Sequence, residues 1–246
     1  MSGGDPSRAT MVVTLDGLSG SGKSTLAREL ARRLGWTWLD SGAWYRALTW
    51  AVLRAGADPA VEDQVLDVLF RTHLDAESDG RVRVDGRFPG DALRTPEIDR
   101  AVAVLADHPR VRAELVRRMR EFAAHAAAAG AGLVADGRDA GAVIFPDADL
   151  KVFVDAPLAV RARRRLAQRG GPVEDPAAEA AMERELATRD ARDLARGEAA
   201  PRPRSGTFVL ENTDGIEEAI GSLLSRIQRL RAVREAPGSG AGPSPD

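Results

Sequence analysis

The stretch Gly17-Leu18-Ser19-Gly20-Ser21-Gly22-Lys23-Ser24 constrains this chain more than any other. It fits the pattern G-x-x-x-x-G-K-[ST] of a phosphate-binding loop, and both flanks suit that reading. Ahead of it, Met11-Val12-Val13-Thr14-Leu15 is short, apolar and β-branched, which predicts a buried strand. Behind it, Thr25 to Leu34 carries Leu26, Leu30 and Leu34 at helical spacing and stops at Gly35. A strand feeding a glycine turn feeding a helix lets backbone N–H groups converge on phosphate oxygens, with the positive end of the helix dipole behind them. Residues Gly17 to Thr25 are therefore ATP-binding candidates. Lys23 is placed to reach the β- and γ-phosphates, and the Ser24 hydroxyl to ligate Mg²⁺.

Lys23 and Lys151 are the only lysines among 35 basic residues. Arginine serves nearly everywhere else, so the compact ammonium in the loop stands out. The net charge of −2 gives no basic excess of the kind that binds nucleic acid. With no cysteine, the chain has no disulfide, thiolate zinc site or cysteine nucleophile. No apolar run reaches membrane-spanning length and no leader pattern opens the chain, so a cytoplasmic protein, acting as a monomer away from membranes, is expected.

Helical patterns alternate with short apolar runs, which predicts an α/β fold with a parallel sheet. After the first strand the candidates are Trp36–Leu39, Gly132–Ala135, Leu150–Val154 and Thr207–Leu210, five in all. Helices are expected over Ala43–Ala55, Arg110–Ala129, Leu158–Gln168, Ala177–Ala195 and Gly215–Val233. Residues 61–100 break this rhythm: Arg81-Val82-Arg83-Val84 alternates at strand period between the turn dipeptides Asp79-Gly80 and Asp85-Gly86. An inserted module with three short antiparallel strands is expected there. Residues 11–234 then form one domain, and residues 1–10 and 235–246, polar or rich in Gly, Pro, Ser and Ala, read as disordered tails.

Four further clusters carry chemistry. In Asp40-Ser41-Gly42-Ala43-Trp44-Tyr45-Arg46, Ser41 is a candidate helix cap. Arg46 reads either as a ligand for an acceptor phosphate or as a solvated face. Asp136-Gly137-Arg138-Asp139 follows a strand directly, where ligands of open parallel sheets sit. Asp136, or Asp40, is placed to hold Mg²⁺ through water, Arg138 offers a fork to phosphate, and Asp139 can accept from an exocyclic amine. A local turn with an Asp–Arg pair is the plainer alternative. Arg161, Arg163, Arg164 and Arg165 crowd the start of a helix, where the dipole disfavours cations unless an anion lies near. Arg189, Asp193 and Arg196 share one helix face, so Asp193 is placed to orient both arginines, or all three form a surface ladder. His73, His108 and His125 fit no ligand spacing.

The order of phosphate loop, DSGAWYR, PRVR, DGRDAGAVIFPDA and RDARDLAR resembles the bacterial cytidylate kinase family, over about Val12 to Val233. The resemblance implies a P-loop kinase fold with a CMP-side insert at about 61–100 and a mobile lid at about 161–185. It implies in-line transfer of the γ-phosphoryl group of ATP to CMP or dCMP, with Mg²⁺, giving CDP or dCDP. By its motifs the acceptor site is Ser41, Tyr45, Arg46, Arg112, Arg138, Asp139, Arg189, Asp193 and Arg196, and Arg161, Arg164 and Arg165 belong to the lid over ATP. Lys23, Arg138, Arg164 and Arg189 are the catalytic candidates. Ala103 stands where the family is expected to carry a serine that contacts the base, which shifts base discrimination toward Arg112 and Asp139. A P-loop kinase for another small acceptor, such as a nucleoside or shikimate, fits Asp136, Arg138 and Asp139 less well. A nucleotide-dependent switch lacks an N-K-x-D tetrapeptide and leaves the acceptor-side arginines without a purpose.

Overall fold

The computed structural model describes residues 10–213 and 215–235. The expected tails therefore lie outside the described residues, apart from Thr10 and Glu235. The sheet has five parallel strands in the order β2 (Thr37–Asp40), β5 (Leu133–Gly137), β1 (Val12–Asp16), β6 (Leu150–Asp155) and β7 (Phe208–Glu211). Every pairing within it is parallel, as crossover helices require. All five expected strands are present, each within two residues of its sequence bounds.

Alternation along the strands sorts side chains onto two covered faces. Leu39, Leu133 and Ala135 join a core with α2 (Ser41–Arg54), α3 (Glu62–Arg71), α4 (Pro96–Leu105) and α5 (Pro109–Ala128). Val13, Leu15, Val134 and Val152 join a second core with α1 (Lys23–Leu34) and α8 (Ile216–Glu235). Leu26 and Leu30 of α1 are fully buried there, each stabilising by about 1.5–3 kcal/mol. A third, separate apolar cluster, Ala162, Leu166, Met182 and Leu186, joins α6 (Leu158–Gln168) to α7 (Pro176–Leu194). Among the described residues no helix is long and apolar enough to cross a membrane.

The insert differs from its sequence expectation. It holds two antiparallel strands, β3 (Leu74–Ala76) and β4 (Val82–Val84), and not three. The third is reduced to one bridge, Val84 to Arg87, because Asp85-Gly86, with both residues at positive φ, turns the chain back at once. The insert also holds α3, a short 3-10 helix over Gly90–Arg94 and the start of α4; Thr95 caps α4, accepting from the Ile98 N–H, with Pro96 in the first turn. The helix cap at Ser41 is also corrected. Asp40 is the cap, accepting from the Ala43 N–H at 3.0 Å, and Ser41 is the first helical residue.

Candidate active site

A cleft of about 2300 Å³ opens at the carboxyl ends of β1, β2 and β5. The phosphate loop forms its floor. Gly22, at φ 90°, caps α1 with no side chain, so the first N–H groups of the helix stay open to a ligand. A Cβ at Gly22 would stand 2.4 Å from Asn212 Nδ2. Asn212, just beyond β7, donates to the Ser21 carbonyl at 2.8 Å and fastens the loop from behind. Asp16, ahead of Gly17, accepts from the N–H groups of Ala140 and Gly141 at 2.7 and 2.8 Å. Those residues form a single π-turn, Ala140–Ile144, after β5. Burial pushes the Asp16 carboxyl up to about 6 against the pull of those two donors.

Lys23 Nζ donates to the Leu18 carbonyl at 3.2 Å, folding back over the loop. Burial, and then the nearby Arg138, push its ammonium down. Asp136 is fully buried at the end of β5, directly beside Asp40 in the sheet register. It accepts from the Ser24 hydroxyl at 2.6 Å and from Trp38 Nε1 at 2.8 Å. Burial, and then Asp40, push the Asp136 carboxyl up. The Ser41 hydroxyl donates to the Asp136 carbonyl at 2.7 Å, which pins the start of α2 against β5.

Arginines line the walls. Arg138 donates from Nη1 to the Gly17 carbonyl at 2.8 Å and from Nε to Asp193 at 2.6 Å. Asp193 also accepts from Arg196 Nη1 at 2.8 Å, and Arg196 Nε reaches Asp107 at 2.9 Å. The expected Arg189–Asp193–Arg196 ladder is thus corrected: helix α7 ends at Leu194, and the second partner of Asp193 is Arg138. Arg189 faces the same cleft, where burial, Arg138 and Arg46 push its guanidinium down to about 10. A cation held at such a cost is stabilised by an arriving anion. Arg112 pairs with Asp139, and its Nη1 donates to the Ala106 carbonyl at 3.2 Å. Its guanidinium lies 6.0 Å from the ring centre of buried Tyr45, and Ala103 also lines the cleft.

The cleft therefore gathers Lys23, Ser24, Ser41, Tyr45, Arg46, Arg112, Asp136, Arg138, Asp139, Arg164, Arg165, Arg189, Asp193 and Arg196. It does not gather Arg161. That guanidinium is buried behind the loop, donating to the Ala156 and Ser19 carbonyls at 3.0 and 3.1 Å and to Asp190 at 2.6 Å. Arg161 is a strut for the phosphate loop, whereas Arg164 and Arg165 reach the cleft. Sequence reasoning missed Asp16, Trp38, Asp99, Asp107 and Asn212. Asp16 had a signal, since it directly precedes the glycine loop. The others act through partners far along the chain and had none.

The cytidylate kinase family profile matches residues 13–229. A cytidylate kinase of Vibrio cholerae is 43% identical over 225 residues, covering 89% of this chain and 96% of that protein. One from Pseudomonas fluorescens is 39% identical over 233 residues, covering 92% and 97%. A bifunctional pantoate ligase/cytidylate kinase of Synechococcus is 41% identical over 232 residues, of which this chain covers 46%. The chain spans nearly the whole of two of these relatives and about half of the third. A phosphate loop at the end of β1, an acidic–basic pair after β5 and a profile match over most of the length agree on one assignment: the chain belongs to the cytidylate kinase family of P-loop kinases.

Proposed function

We propose that the protein transfers the γ-phosphoryl group of ATP to CMP or dCMP, releasing ADP and CDP or dCDP. The observation that carries this reading is the convergence of Lys23, Arg138 and Arg189 on one cleft, where burial holds the charge of Lys23 and Arg189 at a cost. Phosphoryl transfer needs little covalent chemistry from the protein. It needs reactants held in line and positive charge where negative charge spreads over the transferring oxygens.

The loop N–H groups and Lys23 hold the β- and γ-phosphates. Arg46, Arg138 and Arg189 hold the acceptor phosphate opposite. Asp139 accepts from the cytosine amine and Arg112 donates to the ring N3; uracil presents the reverse pattern at both points, so both contacts fail. The α6–α7 hairpin, packed on its own apolar cluster, carries Arg164 and Arg165 and supports the reading of a lid over ATP. Closure excludes water that would otherwise take the phosphoryl group.

The donor set fits Mg²⁺: a hydroxyl and two carboxylates, Ser24, Asp136 and Asp40, are hard oxygen ligands, and two adjacent carboxylates invite a cation. When bound, the ion neutralises charge on the phosphates. The reading includes a cytoplasmic enzyme acting as a monomer; the chain has no cysteine, and among the described residues no helix is long and apolar enough to cross a membrane.

The test is to mix the protein with ATP, Mg²⁺ and each nucleoside monophosphate and to follow ADP release. CMP should be preferred over UMP by at least about tenfold in kcat/KM, the factor that 1.4 kcal/mol supplies. Slow hydrolysis independent of the acceptor would overturn the reading.

A further inference from the structure

Asp99 lies in the first turns of α4, at the edge of the insert, and no motif singles it out. Its carboxylate is split between the two halves of the cleft. Oδ1 faces Arg46 Nη1 of α2 at 2.7 Å. Oδ2 faces Arg165 Nη2 of α6 at 2.9 Å and Arg169 Nη2, just past that helix, at 3.4 Å. The pairs are sheltered: the side chains of Asp99, Arg165 and Arg46 are 14%, 15% and 19% exposed. Burial would push the Asp99 carboxyl up, yet Arg46 and Arg165 hold it below the usual carboxylate range.

The elements joined in this way have separate cores. Helices α2 and α4 share the large cluster over one face of the sheet, whereas α6 packs with α7 in the third cluster. Ion pairs from one carboxylate thus bridge two apolar bodies across the cleft. Each arginine spends only part of its fork. Arg46 Nη1 donates to the Leu93 carbonyl at 3.3 Å and meets Asp99 Oδ1 as an ion pair without a hydrogen bond, which leaves its Nε and Nη2 groups for a phosphate. Arg165 gives Nη2 to Asp99 and Nη1 to Gln168, and its buried Nε has no partner. An unpartnered buried donor at the cleft wall is suited to an arriving anion.

We propose that Asp99 is a positioning residue that couples the acceptor half of the cleft to the lid, so that occupancy of either side favours binding at the other. The proposal rests on the kinase reading above. A phosphate on Arg46 fixes a side chain that Asp99 already ties to Arg165, which lowers the ordering cost of the lid before ATP arrives; by reciprocity, ATP on the lid does the same for the acceptor.

The test is calorimetric titration of CMP into the whole protein, alone and with the β,γ-imido analogue of ATP and Mg²⁺ at saturation. In the parent protein the analogue should tighten CMP by at least about fivefold, the lower end of common coupling factors. In Asp99→Asn that factor should fall below about twofold, whereas Asp99→Glu, which keeps the charge, should retain at least half of it. Asp99→Ser provides the same measurement should Asp99→Asn not fold. An unchanged factor in the neutral variants, no synergy in the parent, or equal loss in Asp99→Glu would each overturn the coupling. A merely structural role would lower the melting temperature and weaken both ligands alike, with synergy intact. Failure of the parent to phosphorylate CMP would overturn the kinase reading instead, so the two failures are distinguishable.

Discussion

Asp193 and Asp107 hold the same chain of arginines at different depths, and comparing them tests whether burial sets the worth of these contacts. The Asp193 side chain is 5% exposed and accepts two charge-assisted hydrogen bonds, from Arg138 and Arg196. The Asp107 side chain is 48% exposed and accepts one, from Arg196. In Asp193→Asn one oxygen becomes an amide donor facing a guanidinium. One bond, worth about 1.5–3 kcal/mol, is lost, and the other loses its charge assistance. Arg138 then stays beside Arg189 with no hydrogen-bonded carboxylate, and breaking a sheltered pair from one side is costly. The expected loss is about 2–4 kcal/mol, or roughly 4–16 °C in melting temperature at about 2–4 °C per kcal/mol for this chain length. Asp107→Asn should stay within about 0.5 kcal/mol, because a solvated single pair contributes little. Differential scanning calorimetry of the nucleotide-free protein reads both. kcat/KM for CMP should fall at least about tenfold in Asp193→Asn alone, since Arg138 and Arg196 lose their shared anchor. Equal melting shifts in the two variants would refute the argument from burial.

Three further outcomes follow from the same geometry. Lys23→Ala should keep its circular dichroism spectrum and lose roughly 10²-fold or more in kcat, the scale of one preorganised electrostatic contact; near-normal turnover would remove the phosphate-loop assignment. Asp139→Ala should collapse the preference for CMP over UMP, because it removes the amine acceptor and frees Arg112 from its partner, and Ala103→Ser should raise that preference; acceptor kinetics showing equal losses for both substrates would mean that the base is read elsewhere. The chain has one tyrosine, so ultraviolet difference titration reads Tyr45 directly. Burial pushes its phenol up to about 12 from the ordinary 10. Between those values the folded state binds more protons than the unfolded one, so stability falls as pH rises through that window; a native midpoint at 10 would show the ring to be open to water.

Much of the site was legible because its chemistry is local. The phosphate loop announces itself within eight residues, since glycine freedom, a cation and a hydroxyl must fall at fixed offsets between a strand and a helix. Apolar period placed all five core strands, because each must bury its side chains on both faces of a parallel sheet. The sequence also placed Asp136, Arg138 and Asp139 at a strand end, where the sheet delivers them to the cleft. Partner choice was not legible. Asp193 takes Arg138, 55 residues away, over the Arg189 on its own helix, because β5 brings Arg138 across. Arg161 reads as one of four similar arginines, yet Asp190 and the Ser19 carbonyl, 142 residues away, turn it behind the loop while Arg164 and Arg165 face the cleft. The strand order, with β5 inserted between β2 and β1, sets Asp40 beside Asp136. Such arrangements belong to long-range packing, in which a guanidinium goes to whichever carboxylate or carbonyl the assembled sheet and helices bring within reach, and only the tertiary structure decides that.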